Sequence, residues 1–69
     1  MIPKFVIRLL TSNRDLRYQV WYAKDLKTAD RMVETLGSTY KVKAKAFPVG
    51  MSLLATLSES ENEVNWTEA

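Results

Sequence analysis

Three acids, Asp25, Asp30 and Glu34, fall close together in the chain, and paired carboxylates are the first place to look for general acid–base work or a metal site. Their spacing has a plainer explanation. Asp25 stands where a helix N-cap belongs, since its carboxylate can accept from the free amides of a first turn. Asp30 and Glu34 are four apart on what should be the wet side of that helix. The chain has no histidine and no cysteine, which removes the imidazole base, the thiolate nucleophile, the disulfide and the zinc finger from its repertoire. No nucleophile, base and orienting group come together in the pattern. The reading is of a non-enzymatic protein with no catalytic residue, no cofactor and no metal.

The chemistry that remains is that of cations and aromatics. All ten Lys and Arg lie between Lys4 and Lys45, against four acids in the first 57 residues, so that stretch carries +6. Residues 58–69, SESENEVNWTEA, carry the other four acids, Glu59, Glu61, Glu63 and Glu68, and no cation. A basic body with an acidic tail points to a polyanion or an acidic protein surface as partner. Side-chain alternation puts Arg8, Arg17, Gln19, Trp21, Lys41, Lys43 and Lys45 on one sheet face, with Val6 and Leu10 between them. Cations neutralise phosphates and an aromatic stacks on a base, so this face suits single-stranded nucleic acid. Equally, strand lysines guard an edge against unwanted pairing. In the tail, Trp66 beside Val64 reads either as an aromatic anchor for a basic groove or as a residue that folds back on the sheet.

These side chains need elements to hold them. Lys4–Leu10 alternates and is rich in β-formers, which predicts a first strand. Thr11–Asp15 clusters turn formers, and Leu16–Tyr22 alternates again, predicting a hairpin with Leu16, Tyr18, Val20 and Tyr22 toward the core. A helix should follow Asp25, with Leu26, Ala29, Met32, Val33 and Leu36 as its apolar stripe and Gly37 as its left-handed C′ residue. Tyr40–Ala46 predicts a third strand with Tyr40, Val42, Ala44 and Ala46 inward. Pro48-Val49-Gly50 breaks the pattern, and Met51–Leu57 reads as a short fourth strand or as a helical turn packing the sheet edge, with an extended segment the favoured expectation. The expected fold is α+β, a ββαβ unit at residues 1–57: a three-stranded antiparallel sheet with one helix on one face. Residues 58–69 are expected to form a disordered acidic tail. No stretch approaches the roughly 18 apolar residues of a membrane span, and a cytoplasmic monomer is expected.

The stretch Tyr22-Ala23-Lys24-Asp25-Leu26-Lys27-Thr28-Ala29-Asp30-Arg31-Met32-Val33-Glu34, placed between a hairpin and a basic strand, resembles the small bacteriophage proteins that bind host RNA polymerase. The transcription inhibitor of the short-tailed coliphages and the antiterminator of Xanthomonas phages are of this kind. The resemblance covers about residues 4–48 and is one of pattern. It implies binding to bacterial RNA polymerase and modulation of transcription, by inhibition or antitermination, with Arg8, Arg17, Lys41, Lys43 and Lys45 meeting acidic protein and Trp21 or Trp66 as the desolvated anchor. The alternative is a single-stranded nucleic-acid binder using the same sheet face.

Overall fold

Phe5–Leu10, a run of β-branched and large apolar residues interrupted only by Arg8, forms strand β1 at the centre of the sheet. In the computed structural model, which describes residues 2–63, helix α1 (Arg14–Arg17), strand β2 (Trp21–Ala23), helix α2 (Leu26–Tyr40), strand β3 (Lys43–Pro48) and helix α3 (Leu53–Glu63) follow. Both β2 and β3 pair antiparallel with β1, in the order β2-β1-β3. The α+β class and the three-stranded antiparallel sheet expected from the alternation are therefore what the chain adopts.

The apolar core lies between the sheet and α2. Ile7, Leu9, Ala23, Ala29 and Ala44 are buried there, with Phe5, Leu16, Trp21, Met32, Val33, Leu36 and Tyr40 packed around them. Asp25 caps α2 as expected, its carboxylate accepting from the Thr28 N–H at 2.7 Å. The backbone N–H of Thr28, and then its hydroxyl, hold the Asp25 carboxyl below its ordinary range. A depressed folded value means that this cap contributes fully above the unfolded carboxyl value of about 3.9 and is lost as pH falls through the folded one. Asp25→Asn keeps the acceptor but removes the titration, so thermal melts across a pH series should show a flatter acid limb. An unchanged limb would exclude Asp25 from it.

Five expectations need correction. The hairpin is not a tight one: Asn13 caps α1, its Oδ1 accepting from the Asp15 N–H at 2.9 Å, so Leu16 and Arg17 are helical. That inserted turn resets the phase of β2. Trp21 and Ala23 face α2 because they pair with Ile7 and Phe5, while Tyr18 and Tyr22 are exposed. Helix α2 runs past Gly37 to Tyr40, and Lys41 takes the left-handed position at φ 58°. Gly37 is instead a point of close approach, where a Cβ would stand 3.2 Å from the Val42 carbonyl oxygen. The extra turn is held by Tyr40, whose ring lies 5.9 Å from that of Trp21. Leu26, placed on the apolar stripe, is exposed.

The fifth correction concerns the C-terminal part. Residues 53–63 form α3 in place of the expected extended segment and the first part of the expected tail, whose residues 64–69 lie outside the described residues. Ser52 starts it, accepting the Ala55 N–H on its hydroxyl at 3.0 Å and the Thr56 N–H on its carbonyl at 3.0 Å. The helix lies on the sheet face opposite α2, anchored to Arg8 of β1. Both faces of β1 are thus covered, and Val6 to Leu10 are all buried.

One further consequence concerns Lys41. A left-handed conformation costs an L-residue roughly 1–2 kcal/mol, which glycine avoids at some cost in unfolded-chain entropy. Lys41→Gly should raise stability by about 0.5–1 kcal/mol in urea unfolding, and a loss of stability would show that the lysine stem is needed there.

Candidate functional site

The seven residues singled out from the sequence do not form one face. Val6, Arg8 and Leu10 share a side of the sheet with Phe47, Lys45 and Lys43, their partners across the ladder. This side is where α3 docks. Arg8 is only 4% exposed: its Nε donates to Thr56 Oγ1 at 2.8 Å, one Nη to the Leu53 carbonyl at 2.9 Å and the other to the Arg17 carbonyl at 3.3 Å. Burial lowers its pKa from the ordinary arginine value. With its fork occupied by the protein's own backbone, Arg8 is the strut that holds α3, not part of an open cationic surface.

Arg17 is directed to the same helix. It forms an ion pair with Glu61 of α3 and lies 5.1 Å from the centre of the Tyr18 ring, while its Nε is buried with no hydrogen-bond partner among the described residues. Trp21 points to the opposite side, under α2, because β2 is phase-shifted. Trp21→Ala is therefore a core change rather than a surface probe, and it is expected to destabilise the fold by about 3 kcal/mol in thermal unfolding; a loss below about 1 kcal/mol would place the indole outside the core. Lys41 sits at the C-cap of α2. Lys43 is exposed on β3, and Lys45 is partly buried with its Nζ 5.4 Å from the centre of the Phe47 ring. Trp66 lies outside the described residues.

Two surface features remain. The first is the edge of β3, six residues long and terminal in the sheet, with Lys43 and Lys45 on it and no acid. The second is a set of exposed apolar side chains on β2, after β3 and at the start of α3. Tyr22 (46% exposed) is the cross-strand neighbour of Val6, and Val49 donates its N–H to the Lys4 carbonyl. Leu53 and Leu54 (76% exposed) begin α3 beside Arg8. Lys4 and Lys24 are exposed close by in sequence. Sequence reasoning missed this group, because Tyr22 was placed inside by a strand phase that α1 interrupts and Leu54 lay in a segment taken as extended.

A shallow depression lined by Glu34, Thr35, Ser38 and Thr39 lies on a single helix. Among the described residues, no three His, Cys, Asp or Glu side chains are grouped to hold a metal ion, and no helix is long and apolar enough to cross a membrane. The class that this geometry defines is a small α+β domain whose central strand is covered on both faces, by α2 and by α3. Compared with known proteins, the chain matches no family model, no curated protein and no solved structure at a significant level.

Proposed function

We propose that this chain is a non-enzymatic docking protein that binds bacterial RNA polymerase and modulates transcription. The observation that carries the docking part is the exposed apolar group of Tyr22, Val49, Leu53 and Leu54 on a body rich in cations. Apolar and aromatic side chains left in water at one place, with charges around them, are the composition of a protein-binding patch. The choice of polymerase rests on the resemblance of residues 4–48 to the small phage proteins. The nucleic-acid alternative is weakened by α3, which occupies the face on which bases would stack, and by Arg8, whose donors are already used.

The test is a titration of purified bacterial RNA polymerase core with the labelled full chain, with and without nuclease treatment. Saturable binding that survives nuclease and falls tenfold or more in Leu54→Glu supports the reading. Leu54 is mostly in solvent, so that variant should fold. Binding that disappears with nuclease, or that weakens with salt at a slope near −0.7 per contacted phosphate, overturns it in favour of nucleic acid.

A further inference from the structure

The long edge of the sheet has a definite chemical polarity. Val49 donates its N–H to the Lys4 carbonyl at 3.0 Å, which sets the phase of the ladder between β1 and β3. In an antiparallel pair the bonded residues alternate, so Lys43, Lys45 and Phe47 turn their amides to β1, opposite Leu10, Arg8 and Val6. Ala44 and Ala46 then turn theirs outward, and neither has a hydrogen-bond partner across that edge among the described residues. Pro48, at the end, has no N–H, and its carbonyl is taken by the Met51 N–H at 3.1 Å. Two N–H donors and two carbonyl acceptors, those of Ala44 and Ala46, thus line an edge where no strand sits among the described residues.

We infer that this edge takes up an extended acidic segment of a protein partner as an additional strand. The inference rests on the reading of the chain as a protein-docking module and names the form that one partner segment takes. Backbone groups supply strand addition with its affinity, and alternate side chains supply its specificity. Here the alternate side chains are Lys43 and Lys45 on one side and the methyls of Ala44 and Ala46 on the other. Carboxylates at every second position would face the lysines, and opposite charges across a strand pair are favourable. Apolar residues at the intervening positions fit beside the alanines.

A second copy of the chain fits poorly. Two β3 edges related by a two-fold axis, with Ala44 and Ala46 exchanging bonds, would set Lys45 opposite Lys45, and like charges directly opposed are destabilising. The same lysines that deter self-pairing therefore select an acidic strand, which is specificity by repulsion and attraction together. The other edge, β2, spans three residues and offers too little ladder.

The experiment uses the full isotope-labelled chain and a capped octapeptide of alternating Glu and Val, with an alternating Lys and Val octapeptide and an N-methylated Glu–Val octapeptide as comparisons. The Glu–Val peptide is expected to slow amide exchange at Ala44 and Ala46 tenfold or more, and the other two to leave it unchanged. Ala46→Pro removes an outward donor without touching a ladder bond, a position where an edge tolerates proline; it should keep the native spectrum and bind the peptide at least tenfold more weakly. Lys43→Glu with Lys45→Glu should reverse the preference toward the Lys–Val peptide. Peptide binding that leaves exchange at Ala44 and Ala46 unaltered, or that Ala46→Pro does not weaken, reduces the effect to ionic adhesion and overturns the proposal. Because the titration contains no polymerase, its failure leaves the polymerase reading to its own test, and polymerase binding without peptide binding separates the two.

Discussion

Leu9→Ala is expected to remove most of the stability of the domain. Leu9 is fully buried in the central strand, in contact with the core beneath α2, and such truncations cost roughly 2–5 kcal/mol through lost transfer energy and the cavity left behind. A chain of 69 residues has roughly 3.5–10 kcal/mol in all, at about 0.05–0.15 kcal/mol per residue. The result should be a chain that is partly unfolded at 37 °C, with all probes lost together, because α2 and all three strands share this one cluster. Urea unfolding followed by circular dichroism measures it. A cost below about 1 kcal/mol would mean that the site collapses around the missing side chain and that the core is looser than its packing suggests.

Arg8→Ala, one residue earlier on the same strand, should act differently because its side chain leaves the opposite face. It removes the three donors that hold Thr56 Oγ1, the Leu53 carbonyl and the Arg17 carbonyl. The Leu53 carbonyl keeps the Thr56 hydroxyl as a donor at 2.8 Å, but a buried acceptor left without a partner costs about 1–3 kcal/mol, so with the packing of the stem lost as well the expected loss is roughly 2–4 kcal/mol. It should fall on α3. The amides of residues 55–62 should exchange at least tenfold faster, and Val6, Leu10 and Phe47 should bind an apolar dye, while α2 keeps its protection. Arg8→Met tests the cause: it fills the volume but removes the same donors, so it should lose nearly as much as alanine if the hydrogen bonds carry the effect and much less if packing does. Arg8→Lys keeps a charge but lacks the fork and should recover only part of the loss. If α3 exchange is unchanged in Arg8→Ala, the helix is held by something other than this arginine.

The same contrast separates the local pattern, which the alternation gives correctly, from the single open cationic face, which the structure does not have. Alternation in residues 4–10 and 40–46 is a property of the backbone pleat, and it identified two strands and put Arg8, Lys43 and Lys45 on a common side, as the ladder does. Asp25 was legible as a cap for the same kind of reason, because a carboxylate and the Thr28 amide lie within one turn of each other. Trp21 was misplaced because its alternation was counted through residues 16–17, which Asn13 turns into a helix. The hydrogen bond from Asn13 is local, but its competition with an extended pairing is decided by the whole sheet. Gly37 was taken as a stop because glycine is the usual one, and the packing of Tyr40 on Trp21 carried the helix one turn further.

By itself, then, the sequence determined the fold class, the cap of α2, the two longer strands, the absence of histidine and cysteine chemistry, and the charge asymmetry between the body and its last residues. Each of these follows from composition or from contacts within a few residues. Only the tertiary structure decided that α3 covers the cationic side of the sheet, that Arg8 is a buried strut, that Trp21 lies in the core, and that Tyr22 and Leu54 stand in solvent. Those outcomes depend on contacts such as that between Arg8 and Thr56, 48 residues apart in the chain. A weakly amphipathic segment such as residues 53–63 gains its helix from the surface it lands on, because packing rather than propensity supplies most helical stability.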